Sequence, residues 1–121
     1  MARTQHLSQN GIEIFHIDFS NVTNVEEIKE IINDSVKYIR SQPANSVLTL
    51  TNLEGMHFSN EIKDLFNNFI KGNKLYVKAG AVIGLSRLQQ ILYNGLMRIT
   101  GRDIKSFNSF EIAKEWLIGK N

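Results

Sequence analysis

The chain has 121 residues, 42% of them hydrophobic and 21% charged, with one proline and no cysteine. That size and composition fit one compact domain and exclude disorder, a disulfide framework and thiolate metal sites. Fourteen basic and twelve acidic residues leave a net charge of +2, interspersed without a Lys/Arg block, so no nucleic-acid partner is expected. The opening MARTQHLSQNG lacks the apolar region of a signal peptide. No apolar run approaches the ~20 residues of a spanning helix. A soluble cytoplasmic protein is expected.

Thr4 to Leu7 and Ile12 to Asp18 flank Asn10-Gly11, a pair that accepts positive φ at both central positions of a tight turn. An N-terminal hairpin follows. Its first arm is short and polar, as suits an edge. Its second has few polar positions on either face and belongs inside the sheet, so His16 there reads as a satisfied core or sheet histidine. Thr23 with Glu26 three residues on forms a capping box. It opens a helix whose stripe is Val25, Ile28, Ile32, Val36 and Ile39, at helical spacing. Gln42-Pro43 stops that helix.

Ser46 to Thr51, SVLTLT, alternates as a strand. After a loop over residues 52–57, Phe58 to Ile70 reads as a second helix with Phe58, Ile62, Leu65, Phe66 and Phe69 on one side. Leu75 to Ile83 is the next strand. Its small centre, Ala79-Gly80-Ala81, lets a helix approach the backbone. Ser86 and Gln89 form a second capping box, for a helix running to Thr100 and capped by Gly101. Ile104 to Phe107 is the last strand. Asn108 and Glu111 cap a final helix ending near Ile118. The expected architecture is α/β: one mixed sheet of about five strands, a hairpin followed by parallel β-α units, with about four helices.

This order, with the segments Val82-Ile83-Gly84-Leu85-Ser86-Arg87-Leu88, Thr100-Gly101-Arg102, Phe107 and Ala113-Lys114-Glu115-Trp116-Leu117, resembles the STAS-like fold of bacterial anti-sigma-factor antagonists. It is similar also to the small bacterial proteins grouped as STAS-like with the CRAL-TRIO lipid-transfer domains. The resemblance implies a regulatory interaction domain, and a phosphorylatable serine at a helix N-terminus after the middle strand. Ser59, in Met56-His57-Phe58-Ser59-Asn60, is the nearest equivalent. His57, Phe58 and Asn60 depart from the family's pattern there, so Ser59 is either that acceptor or a plain N-cap.

Other positions carry paired readings. Gly84, Ser86 and Arg87 lie between a strand and a helix, where backbone N–H groups, a hydroxyl and a guanidinium suit a small anion; the same residues make an ordinary capping turn. On the helix 86–100, Tyr93 and Met97 fall away from the apolar face, beside Gln89 and Gln90. That strip is either surface or an interface, self-association being the simplest use. Phe58, Phe66 and Phe69 either pack on the sheet or wall a cavity for an acyl chain, as the CRAL-TRIO likeness implies. His57, Glu54 and Ser59 form no convincing catalytic set without an oxyanion hole. No metal or cofactor is expected. A non-enzymatic, cytoplasmic, homodimeric interaction domain is the first reading, and a lipid or small-ligand module the second.

Overall fold

The computed structural model describes residues 3–57, 59–87, 89–90 and 103–120. Five strands and three helices have their bounds among them: β1 Thr4–Gln9, β2 Ile12–Asp18, α1 Val25–Ile39, β3 Val47–Asn52, α2 Asn60–Gly72, β4 Val77–Ile83, β5 Ile104–Phe107 and α3 Phe110–Gly119. Arg87, Gln89 and Gln90 are also helical. The sheet runs in the order β1-β2-β3-β4-β5. β1 is antiparallel to β2, and β2 through β5 are parallel. The expected mixed α/β sheet is the one that forms.

Strand alternation sends side chains to two cores. Phe15 and Ile17 of β2 join Ile28, Ile31 and Ile39 of α1 and Ile62 and Phe69 of α2 on one face. Ile14, Leu48 and Leu50 join Ala113 and Leu117 of α3 on the other. Both faces of the inner strands are therefore covered, and the apolar positions of β2 and β3 are buried on both sides of the sheet. The small centre of β4 serves this packing: Ala79 and Ala81 are buried in the α3 cluster. Gly80 faces the opposite side, where an added Cβ would sit 2.9 Å from Thr49 Oγ1.

Several local expectations shift. β1 reaches Gln9 and is longer than the expected Thr4–Leu7 arm. Asn24 caps α1 in place of Thr23, its side chain accepting from the Glu26 and Glu27 N–H groups at 2.7 and 3.4 Å. Asn24 holds the extended backbone of a cap. The most buried positions of α1 are Ile28, Ile31, Ser35 and Ile39, with Val25, Ile32 and Val36 of the expected stripe packed half-buried against the same core. The Ser35 hydroxyl is satisfied by the Ile31 carbonyl at 2.8 Å. Ser109 caps α3 in place of Asn108, accepting from the Ile112 N–H at 3.2 Å. Asn10 and Gly11, with φ of 54° and 77°, form the expected turn. Leu75 lies outside β4 and is 63% exposed.

Candidate functional site

The four parallel strands end at Asp18, Asn52, Ile83 and Phe107 and open onto one edge. The connections leaving that edge are stitched to each other by backbone hydrogen bonds. Phe19 N–H donates to the Asn52 carbonyl at 2.9 Å, Asn21 N–H to Glu54 at 2.8 Å, Leu53 N–H to Ile83 at 2.9 Å and His57 N–H to Val22 at 3.1 Å. The Asn52 side chain accepts from the Glu54 N–H at 3.0 Å, turning the chain at the strand end. Gly84, at φ +91°, is pressed against Glu54, whose Cα would lie 2.7 Å from a Cβ there. Gly55, at φ +70°, faces Asn21 as closely. The result is a preorganised rim presenting Glu54, Gly55, His57, Ser59, Gly84, Ser86 and Arg87 to solvent.

Beneath the rim, on the α3 face, is an open cleft of about 700 Å³. Ile83, Leu85, Phe107 and Phe110 supply its apolar surface. Asn52, Glu54, Ser86, Gln89, Asn108 and Ser109 supply polar groups, and His16 lines the inner side. His16 sets its ring edge-on to Phe110, with centroids 5.6 Å apart. Its Nε2 is buried without a hydrogen-bond partner, so the satisfied histidine expected from the strand pattern is not what forms. Its cross-strand neighbours are Gln5 on β1 and Leu50 on β3. Burial lowers the His16 pKa, against the opposing charge of Asp18, and keeps the ring neutral at pH 7.

The capping box at Ser86 closes as expected. The Ser86 N–H donates to Gln89 Oε1 at 2.8 Å, and the Gln89 N–H to Ser86 Oγ at 3.2 Å. Gln90 turns inward, its Nε2 donating to the Leu85 carbonyl at 3.2 Å and to Asn108 Oδ1 at 2.9 Å. Gln89 is thus an exposed cap residue and Gln90 is half-buried, both bonded within the chain. Arg87 is exposed on the rim and does not line the cleft. Ser59 is exposed and caps α2, its Oγ accepting from the Ile62 N–H at 3.3 Å. Among the described residues no hydrogen bond joins His57, Glu54 and Ser59, and no group of three or more His, Cys, Asp or Glu is placed to hold a metal.

Phe66 and Phe69 lie away from this edge, on the α1/α2 face. They line a cavity of about 60 Å³ with Ile17, Ile39 and Val82. That is smaller than the ~150 Å³ cavity that admits benzene. Phe58, Tyr93 and Met97 lie outside the described residues. No helix among the described residues is long and apolar enough to cross a membrane. Sequence reasoning missed Asn52, Asn108 and Ser109 as a group. Their one shared signal is position at or just past the carboxyl end of a strand.

An uncharacterised protein of the DUF3478 family with a SpoIIAA-like fold, from Shewanella loihica PV-4, superposes on the chain with a TM-score of 0.70. The match covers 94% of this chain and 91% of the other. The fold is SpoIIAA-like. At 14% sequence identity the agreement is one of architecture, and it matches the STAS-like resemblance carried by the segments around Gly84 and Ala113. No family model matches the chain, and no curated protein matches it. In the SpoIIAA-like frame, the rim and cleft occupy the edge where parallel α/β sheets present their variable loops.

Proposed function

We propose that this SpoIIAA-like domain is a non-enzymatic regulatory module that recognises a protein partner with the stitched rim of residues 52–57, 59–60 and 84–87. The observation carrying this reading is the backbone stitching of that rim. Four hydrogen bonds of 2.8 to 3.1 Å among the strand ends and the loops that follow them, two of them loop to loop, and two positive-φ glycines packed onto neighbouring loops hold an exposed polar surface in one shape. Loops preorganised in this way lose little entropy on association. Ser59, exposed at the N-terminus of α2, sits on the same rim. A phosphate on its oxygen would add about two negative charges beside the free N–H groups of the first turn.

The exposed large apolar residues among those described are Leu75 and Ile112, far apart in sequence and off the rim. Recognition is therefore polar and suited to a transient partner. Self-association belongs to the same reading of a small interaction domain. The test is affinity capture from the source cells by three baits. These are the wild-type chain, a rim variant (His57→Ala with Arg87→Ala) and a variant at the opposite end of the strands (Lys74→Ala with Leu75→Ala). A protein retained by the first and third baits and lost by the second supports the rim. Equal retention by all three removes it. Native mass spectrometry of the same preparation reports oligomeric state and any co-purifying small molecule, and a retained lipid would favour the ligand-module reading instead.

A further inference from the structure

The two edges of the sheet are built differently. β5 is four residues long with exposed Lys105 within it, and Asp103 just before it pairs with Lys120 at 3.0 Å. Shortness and charge are how soluble proteins blunt an edge strand. β1 has neither. Thr4–Gln9, TQHLSQ, is six residues long and contains no Lys, Arg, Asp, Glu or Pro. Its register with β2 is unbroken from Thr4↔Ile17 to Gln9↔Ile12, with no bulge. The nearest charges are turned elsewhere. Arg3 donates to the Ser20 carbonyl at 3.0 Å and lies 3.6 Å from Glu27. Glu13 is engaged by His6 at 2.8 Å and by the Tyr38 hydroxyl at 2.9 Å.

The turn decides which backbone groups face outward. In a two-residue hairpin with positive φ at both central positions, the flanking pair is hydrogen-bonded and the pairs then alternate. Gln9, Leu7 and Gln5 therefore direct their N–H and C=O groups to β2. The bond from the Asp18 N–H to the Arg3 carbonyl, 2.8 Å, continues the same parity. Thr4, His6 and Ser8 direct theirs away from the sheet.

We propose that β1 is a homodimerisation edge, pairing antiparallel with β1 of a second copy about a two-fold axis through His6. This arrangement sets Thr4 opposite Ser8 of the second copy and His6 opposite its equivalent. Each outward-facing N–H and C=O over residues 4–8 then has a match, about six hydrogen bonds in all. The occupant is a second copy because one self-complementary strand satisfies both open edges at once. An uncharged strand also brings no like charges together, and the Thr4–Ser8 hydroxyl pair is a favourable cross-strand neighbour. Leu7, half-buried against the Ile14 cluster, lies opposite Gln5 of the second copy and loses further exposure. This surface is separate from the rim, so either assignment can fail without the other.

The experiment is sedimentation velocity from ~1 to ~100 µM, the range in which a small edge interface associates. Wild type is compared with Ser8→Pro and Gln5→Lys. Proline at Ser8 deletes an outward N–H and spares the bonds to β2, while Gln5→Lys adds an edge charge without touching the ladder. Circular dichroism and melting at low concentration report whether each variant folds. The expected result is a concentration-dependent dimer that both variants weaken at least ~10-fold, with amide exchange at His6 and Ser8 slowing as wild type associates. If Ser8→Pro does not fold, Gln5→Lys decides alone. A wild type that stays monomeric throughout overturns the proposal, as does a dimer that the folded variants form equally well.

Discussion

Gly84→Ala is the sharpest probe of the stitched rim. Two costs follow from the structure. Alanine at φ +91° is in the left-handed region, worth about 1–2 kcal/mol of strain. The new Cβ would also lie 2.7 Å from Glu54 Cα and 2.8 Å from Glu54 Cβ, well inside the ~3.5 Å of a carbon contact. Backbone must move to relieve that, and overpacking of this kind costs about 1–3 kcal/mol. Together these give about 2–5 kcal/mol. Gly11→Ala supplies the control: φ is +77° there, but nothing lies within 4 Å of the added Cβ, so only the strain of about 1–2 kcal/mol applies. Urea unfolding of wild type and both variants measures the difference. Gly84→Ala should be the more destabilised by about 1–3 kcal/mol, or roughly 4–12 °C in melting temperature. Equal losses within about 0.5 kcal/mol would show that Glu54 is not held against Gly84 and that the rim is not rigid there.

His16→Phe keeps a ring against Phe110 and removes the buried, unpartnered Nε2; stability at pH 7.5 should rise by about 1 kcal/mol. Burial lowers the folded-state pKa of His16, so the unfolded chain takes the proton more readily. The stability associated with the neutral ring is therefore fully present above the unfolded value of about 6.5 and declines as pH falls below it. Urea unfolding between pH 7.5 and 5 should show that decline in wild type and a flatter profile in His16→Phe. Asp18 and Glu13, whose pKa values are also lowered, act in the same direction below about pH 4.5 and stay clear of this window. An unchanged slope in His16→Phe would contradict the placement of the ring. Ser59→Ala should cost about 1 kcal/mol through loss of the cap on α2, and Ser59→Asp should retain stability, since Asp also caps. A chemical-denaturation loss below about 0.3 kcal/mol for Ser59→Ala would remove the cap from the account.

The elements of this protein were legible because their signals are local. The Asn10-Gly11 turn, the Ser86/Gln89 box and the alternation of β3 depend on neighbours within a few residues, and each appears where the residues place it. Cap identity was less legible. Thr23, Asn24, Asn108 and Ser109 are all competent caps, and the caps that form are Asn24 and Ser109. The fold class, a mixed sheet entered by a hairpin, likewise follows from element order, since parallel strands require the helical crossovers that the periodicity announces.

The site required the tertiary structure. His16, Asn52, Gly84 and Asn108 come from four different strands or strand ends, and no spacing in the sequence marks them as neighbours. Parallel pairing brings their ends to one edge, and only then does a cleft exist. The same holds for the lone Nε2 of His16, because whether a buried polar atom finds a partner depends on what the adjacent strands and α3 place around it. Pairing with β2 likewise fixed which backbone groups of β1, a strand whose polar sequence already suits an edge, face outward. Sequence by itself determined which segments become helix and strand, through short-range periodicity and capping. Tertiary structure decided which polar groups meet and which backbone groups are left facing solvent, because those are consequences of long-range pairing.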